Sequence, residues 1–176
     1  MKIERIAEME LTRADDAAIG QLLDRAFGQA EFDGRSYFQN RHHLRLVVRD
    51  QDTIIGHLAI CLRAVRMGDM LLQAAGIAEV ATDPDHRGKG IASALLAEAL
   101  DAGRQSLADV CILFGNAQLY AANGFMSKPN PTLTVSMHGV RTGEHESRAG
   151  DGLMIYPLRD LNWDDAVTLD LVGFAF

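Results

Sequence analysis

Apolar and polar positions along the chain follow two periods, and each change of period marks a change of element. Ile19, Leu22, Leu23, Ala26 and Phe27 recur at helical spacing behind Thr12-Arg13-Ala14-Asp15, which has the form of a capping box, and Gly28 supplies a stop. Residues 29–43 are mixed and predict a loop with a short second helix, able to overhang a cleft. From Leu44 the period shortens. LRLVVRD, TIIGHLAICLRAVR and MLLQAAGIAEVAT, separated by turns at Asp50-Gln51-Asp52 and Met67-Gly68-Asp69, predict an antiparallel meander. In its middle run Ile54, Leu58, Ile60 and Leu62 share one face, which turns His57 toward the other. Ile91, Leu95 and Ala99, flanked by Ala92, Leu96 and Leu100, predict a helix ending at Gly103. DVCILF then reads as a central strand, NAQLYAA as a short helix ended by Asn123-Gly124, and TLTVSM and GLMIYPL as two further strands. The polar, glycine-rich stretch between those two predicts a mobile hairpin loop. Phe174 and Phe176, at alternate positions, predict a docked final strand. The expected fold is therefore mixed α/β (α+β): a central mixed sheet of about six to seven strands with flanking helices, in one domain over 1–176, with 159–176 as a docked C-terminal extension.

Composition narrows the partners. A formal net charge of −7 disfavours broad capture of nucleic acid and favours small cationic molecules such as amines. No apolar run is long enough for a membrane span and the N-terminus lacks an apolar leader, so the expectation is a cytoplasmic protein without a membrane partner. Cys61 and Cys111 lie in apolar runs without metal or redox spacing and read as buried thiols. His42-His43 has no other spaced ligand, so no metal site is expected.

The chemistry concentrates in DPDHRGKGIASALL. A helix N-terminus offers unpaired N–H donors, glycines before it let a ligand approach the backbone, and Arg87 and Lys89 add positive charge. This points to a phosphate site, against the alternative of a plain strand-to-helix connection with two solvated cations. The stretch lacks the GxxxxGK[ST] pattern of a P-loop. Gly88, Gly90 and Ser93 approach a dinucleotide fingerprint, but Asp109 sits at the start of its strand and the preceding strands are antiparallel.

VATDPDHRGKGIASALL closely resembles the pyrophosphate-binding motif of the GNAT superfamily of acyl-CoA-dependent N-acyltransferases, through Arg87, Gly90 and Ala92. LYAANGF resembles that family's second hallmark through Leu119, Tyr120, Gly124 and Phe125. A looser resemblance, carried by IIGHLAICLRAVRMGD with His57 and by LDLVGF, is to the aminoglycoside 2'-N-acetyltransferase and nodulation N-acyltransferase subgroup. The tail lacks the acidic and tryptophan residues of aminoglycoside binding.

The resemblance implies the GNAT fold and direct acyl transfer from acetyl-CoA, or another acyl-CoA, to an amine, with no covalent enzyme intermediate. It places the cofactor pyrophosphate on Arg87, Gly88, Lys89, Gly90, Ile91 and Ala92, and its pantetheine along Val80, Ala81 and Thr82. A backbone N–H near Val80 would meet the oxyanion. Asn116 is the nearest asparagine to one that the family carries seven residues before its tyrosine, where this chain has Leu113. Tyr120 is the expected acid toward the leaving thiolate. Glu79, read as sharing a strand face with Ala75, Ile77 and Ala81, is the expected base for the acceptor ammonium. His57, Tyr37, Asp170 and Phe176 are candidates for contact with the small-molecule or peptide amine. The resemblance also makes a homodimer possible. The competing function is a catalytically silent CoA-binding module on the same fold.

Overall fold

The first helix begins where the pattern predicts. In the computed structural model, which describes residues 1–115, 117–138, 140–149 and 152–176, the Thr12 hydroxyl accepts the Asp15 N–H at 3.1 Å and α1 runs Arg13–Phe27. Gly28 ends it with a φ of 105°, a conformation glycine adopts without steric cost. The chain divides into two compact units, Met1–Ile60 with Ala78–Ala99, and Cys61–Ile77 with Leu100–Phe176.

In the first unit, β1 (Ile3–Ala7) pairs antiparallel with β2 (Leu44–Asp50), from Ile3↔Val48 to Ala7↔Leu44. β2 in turn pairs antiparallel with the first half of β3 (Thr53–Met67), with an irregularity at Val48/Arg49. The unit also holds α2 (Gln29–Phe32), the end of β4 (Met70–Thr82) and most of α3 (Ile91–Gln105). Ile19, Leu22 and Leu23 of α1 pack with Phe32, Val47, Ile54 and Ala81. Each such large side chain contributes roughly 1.5–3 kcal/mol on burial. Gly56 lets α3 press directly on β3, since a Cβ there would lie 2.5 Å from Ile91 Cγ2.

In the second unit the strand order is β6-β9-β5-β4-β3-β10-β7-β8, with β5 Val110–Phe114, β6 Met126–Ser127, β7 Thr132–His138, β8 Arg141–Arg148, β9 Leu153–Pro157 and β10 Leu169–Asp170. β5 is parallel to β4 from Ala74↔Val110 to Gly76↔Ile112 and antiparallel to β9 along its whole length. Being paired on both edges and covered on both faces explains why VCILF is apolar throughout. Its core joins Val65, Leu72, Val110, Ile112, Ile155 and Leu169, with Trp163 and Phe176 packed against it. The short α4 spans Ala117–Ala121.

Several expectations are corrected. Ten strands form among the described residues, because β1, β8 and the two-residue β6 and β10 had no apolar alternation to announce them. The polar stretch after β7 is mostly the strand β8, paired with β7, not a loop; Gly139, Gly150 and Asp151 lie outside the described residues. The final strand is Leu169–Asp170, and Phe174 and Phe176 lie beyond it. Gly103 does not end α3, which runs on to Gln105; it makes room for Leu158, whose Cδ1 would be 2.8 Å from a Cβ there. Among the described residues no helix is long and apolar enough to cross a membrane.

Candidate active site

The glycine loop joins β4 to α3 through a short 3-10 turn, Pro84–His86, whose first amide-binding group is Asp83. The Asp83 carboxylate accepts the Asp85 N–H at 3.0 Å, and its Oδ1 lies 3.2 Å from His86 Nδ1; its Oδ2 is 3.2 Å from Arg25. Burial pushes this carboxyl upward, but the His86 hydrogen bond, the Asp85 amide and the Arg25 charge outweigh it and hold the pKa below the usual value. Arg25 also reaches Asp85 at 2.9 Å, and Arg87 donates to the Ala26 carbonyl at 3.4 Å. The end of α1 thus fixes the loop that follows β4.

Gly88 and Gly90 both have φ of +76°, with nothing within 4 Å of where a Cβ would stand. The glycines are needed for backbone shape, and the space above them is open. The first bond of α3 runs from Ala94 N–H to the Gly90 carbonyl at 3.0 Å, so the amides of Ile91 and Ala92 precede the helical ladder. Arg87 and Lys89 are exposed beside them. Along the strand before the loop, Ala81 is buried and Val80 and Thr82 are half-buried. The Thr82 hydroxyl oxygen is buried with no hydrogen-bond partner among the described residues. Asn116 lies outside the described residues.

Glu79 departs from the sequence reading. Its φ of +54° breaks the alternation of β4, so it does not share a regular strand face with Ala75, Ile77 and Ala81. Its side chain is only 5% exposed and enters a polar cluster within the first unit. Oε1 accepts the Phe38 N–H at 2.7 Å and lies 3.0 Å from His42 Nε2, while Oε2 lies 3.3 Å from Arg45.

Arg45 organises that cluster and was missed by sequence reasoning. It is fully buried, chelates Glu8 through Nε at 2.7 Å and Nη2 at 3.1 Å, and donates from Nη1 to the Ser36 carbonyl at 2.6 Å. Burial pushes Glu8 upward, yet its hydrogen bonds and charge pairing with Arg45 and Arg41 win and lower its pKa. Arg41 joins Glu8 to Asp16 and lies over the Tyr37 ring, 4.9 Å from its centroid. Tyr37 is thereby held in the loop that carries Phe38. The one signal in the sequence was an arginine at the second position of an otherwise apolar strand start, LRLVV.

His57, expected on the less apolar face, is wholly buried because both faces of β3 are covered at this point. Its Nδ1 lies 3.0 Å from the Glu79 carbonyl and its Nε2 lies 3.3 Å from Arg45 Nη1. Arginine can only donate, so Nε2 accepts and Nδ1 carries the proton. Desolvation, followed by the Arg45 charge, drives the imidazole pKa well below its ordinary value, against the pull of the carbonyl hydrogen bond. His57 is a neutral brace for the kink at Glu79.

In the second unit Tyr120 rests on Gly115, where a Cβ would lie 2.5 Å from its Cε2, and packs edge-on against Phe125 with ring centroids 6.2 Å apart. Phe125 continues to Tyr156 at 5.7 Å. Burial raises the phenol pKa, so the hydroxyl keeps its proton at neutral pH. Cys111 is pushed up to about 12 by burial and is inert as a nucleophile; Cys61 is also a buried thiol. Asp170 accepts the Val172 N–H at 2.7 Å and borders a depression of about 380 Å³ with His145 and Gly173. The Phe176 ring lies against Gly76 so closely that a Cβ there would overlap it, and Arg63 stacks on both Phe176 and Phe174 at 4.3 and 4.9 Å. The structure thus brings Tyr37, His57 and Glu79 into one cluster, with Asp170, Phe176 and Tyr120 each set in separate surroundings of the second unit.

A sequence model of the acetyltransferase (GNAT) domain matches residues 9–126. No curated protein sequence matches the chain. Among solved structures, the Escherichia coli GNAT family N-acetyltransferase YhbS, in complex with CoA, aligns with a TM-score of 0.67 at 23% identity over 97% of this chain and 89% of that one. A GNAT family acetyltransferase from Brucella melitensis, in complex with acetyl-CoA, aligns with a TM-score of 0.63 at 18% identity, covering 96% and 94% of the two chains. Escherichia coli ElaA aligns with a TM-score of 0.60 at 17% identity, covering 88% and 97%. At these identities the likeness is one of fold.

Proposed function

This chain belongs to the GNAT acetyltransferase family, and from that premise we propose that it transfers an acyl group, most simply acetyl, from acyl-CoA to the primary amine of a small molecule or peptide. The observation that carries this reading is the loop itself: two left-handed glycines with open space above them, two exposed cations, and helix amides ahead of the first helical bond. That donor set suits a pyrophosphate. The buried, unpartnered Thr82 hydroxyl suits a polar chain lying along the end of β4.

When bound, acetyl-CoA supplies the activated thioester. Arg87 through Ala92 hold its pyrophosphate, and the backbone of Val80, Ala81 and Thr82 orients its arm. The amide that follows the kink at Glu79, that of Val80, is the donor this reading assigns to the developing oxyanion; such a donor is worth about 3 kcal/mol. Both Glu79 oxygens are already engaged, by Phe38, His42 and Arg45. Glu79 therefore takes the acceptor's proton through a water rather than by direct contact. Tyr120 keeps its proton until thiolate appears, because burial destabilises its phenolate.

The test is acetyl-CoA-dependent thiol release across an amine panel. Release that depends on an amine, and falls in Tyr120→Phe with acetyl-CoA affinity retained, supports the reading. CoA binding without amine-dependent release in any case would favour a silent CoA-binding module instead.

A further inference from the structure

The net charge of −7 suggests a polycationic acceptor, but a cavity beside the glycine that supports Tyr120 has an arginine in its lining. Within the second unit a cavity of about 500 Å³ is bounded by Phe114, Thr132, Thr134, Arg148, Leu171 and Ala175. That volume falls in the range of small-molecule sites. Phe114 directly precedes Gly115, on which the Tyr120 ring rests. The cavity wall therefore begins one residue from the glycine that supports the proposed acid.

Its chemistry is asymmetric. Phe114, Leu171 and Ala175 give apolar surface, and the threonines give hydroxyls. Thr134 spends its proton on the Gly173 carbonyl at 2.9 Å, leaving an oxygen that accepts but does not donate. Among the described residues of the lining, Arg148 is the charged one. Its Nε donates to Glu146 at 3.0 Å and Nη2 goes to the same oxygen, while Nη1 makes no hydrogen bond among the described residues. A guanidinium with one donor group uncommitted can take up a carboxylate.

The wall is also held in place. Leu171 donates to the Leu133 carbonyl at 2.9 Å and Val135 to the Gly173 carbonyl at 2.6 Å, so the 171–173 segment is laced to β7. Arg63 donates to the Phe174 carbonyl and stacks on the rings of Phe174 and Phe176, clamping the residues on both sides of Ala175. A cavity preorganised in this way binds without first ordering its walls.

We propose that this cavity receives the acceptor, and that the acceptor is an amine that also carries a carboxylate on an apolar body, as an apolar α-amino acid does, with Arg148 as the carboxylate anchor. This rests on the acyltransferase reading for its chemistry, but not for its binding. Calorimetric titration of the full chain with L-phenylalanine, phenethylamine and spermidine separates the two. L-phenylalanine is expected to bind at least ten-fold tighter than phenethylamine, its decarboxylated counterpart, and spermidine weakest. Arg148→Gln is expected to erase the preference for the carboxylate, and Thr132→Val to weaken L-phenylalanine while leaving the preference in place. Equal or tighter binding of phenethylamine or spermidine, absence of binding by all three, or a preference that survives in Arg148→Gln overturns the proposal. Binding of L-phenylalanine with the expected Arg148 dependence, but without thiol release from acetyl-CoA by any amine, leaves the pocket standing and removes the acyltransferase reading alone.

Discussion

Replacing Arg45 by methionine keeps much of the buried volume and removes a charge on which the polar cluster of the first unit converges. Arg45 is fully buried, and its guanidinium faces Glu8 through two bonds of 2.7 and 3.1 Å, the Ser36 carbonyl at 2.6 Å and Glu79 at 3.3 Å. Without it, Glu79, itself 5% exposed, keeps Phe38 N–H and His42 as partners of its side chain among the described residues, and Glu8 keeps Arg41. Removing one partner of a buried ion pair strands the other and costs about 3–5 kcal/mol. For a chain of this size that is a fall in melting temperature on the order of 10 °C. Differential scanning calorimetry at neutral pH measures it. The side chain also ties Ser36, two residues before Phe38, to Glu79, so the same variant is expected to lose protection of the 36–43 amides in hydrogen exchange. A melting temperature within about 2 °C of the parent protein, with those amides still protected, would refute the view that Arg45 holds this cluster together.

Other outcomes follow from the same geometry. Gly76→Ala forces the Phe176 ring off β4, and overpacking of this kind costs roughly 1–3 kcal/mol; chemical denaturation should show it, and Gly76→Ala combined with Phe176→Ala should recover part of the loss. Gly90→Val imposes a β-branched residue on a φ of +76° in open space, so acetyl-CoA affinity should fall more than thermal stability does, as read by paired titration and melting. His57 has a folded pKa well below 6.5, so the unfolded chain binds its proton first as the pH drops. Stability from this group is complete above about 6.5 and declines below it, by at most about 1.4 kcal/mol per pH unit; urea unfolding from pH 7 to 5 should show a shallower decline in His57→Gln. Tyr120→Phe should lower turnover by roughly a hundred-fold or more while acetyl-CoA binding is kept, in steady-state kinetics.

The elements with a clean period were legible. α1 carried its own cap and stop, and β2, β3 and β4 appeared as three apolar runs with turns between them. β8 was not, because RTGEHESR forms an edge strand whose solvent-facing charges suit an unpaired edge and erase the alternation that betrays a strand. The two-residue β10 is too short to leave a pattern. Phe174 and Phe176 did alternate, yet their partner is Arg63, 111 residues away from Phe174, and no local rule foretells such a stack. The glycine loop ahead of α3, proposed as the phosphate site, was legible as a turn into a helix because its features are local: glycines, cations and a helix start within a few residues. The Glu79 cluster is the reverse case. Arg45 meets Glu8 and Glu79 across 37 and 34 residues, and a charged residue on a strand reads as solvent-facing until the fold brings its partners to it. The kink at Glu79 was likewise invisible, since a positive φ at a non-glycine residue is imposed by its surroundings.

The central claim is that Arg87 to Ala92 hold the phosphates of an acyl-CoA. Isothermal titration of the full chain with acetyl-CoA tests it most directly, run beside a variant carrying Arg87→Ala and Gly90→Val. The account predicts saturable one-site binding to the parent chain and at least a ten-fold weaker Kd in the variant, with its fold intact by circular dichroism. Absence of binding to the parent chain, or equal affinity in the two proteins, would contradict it.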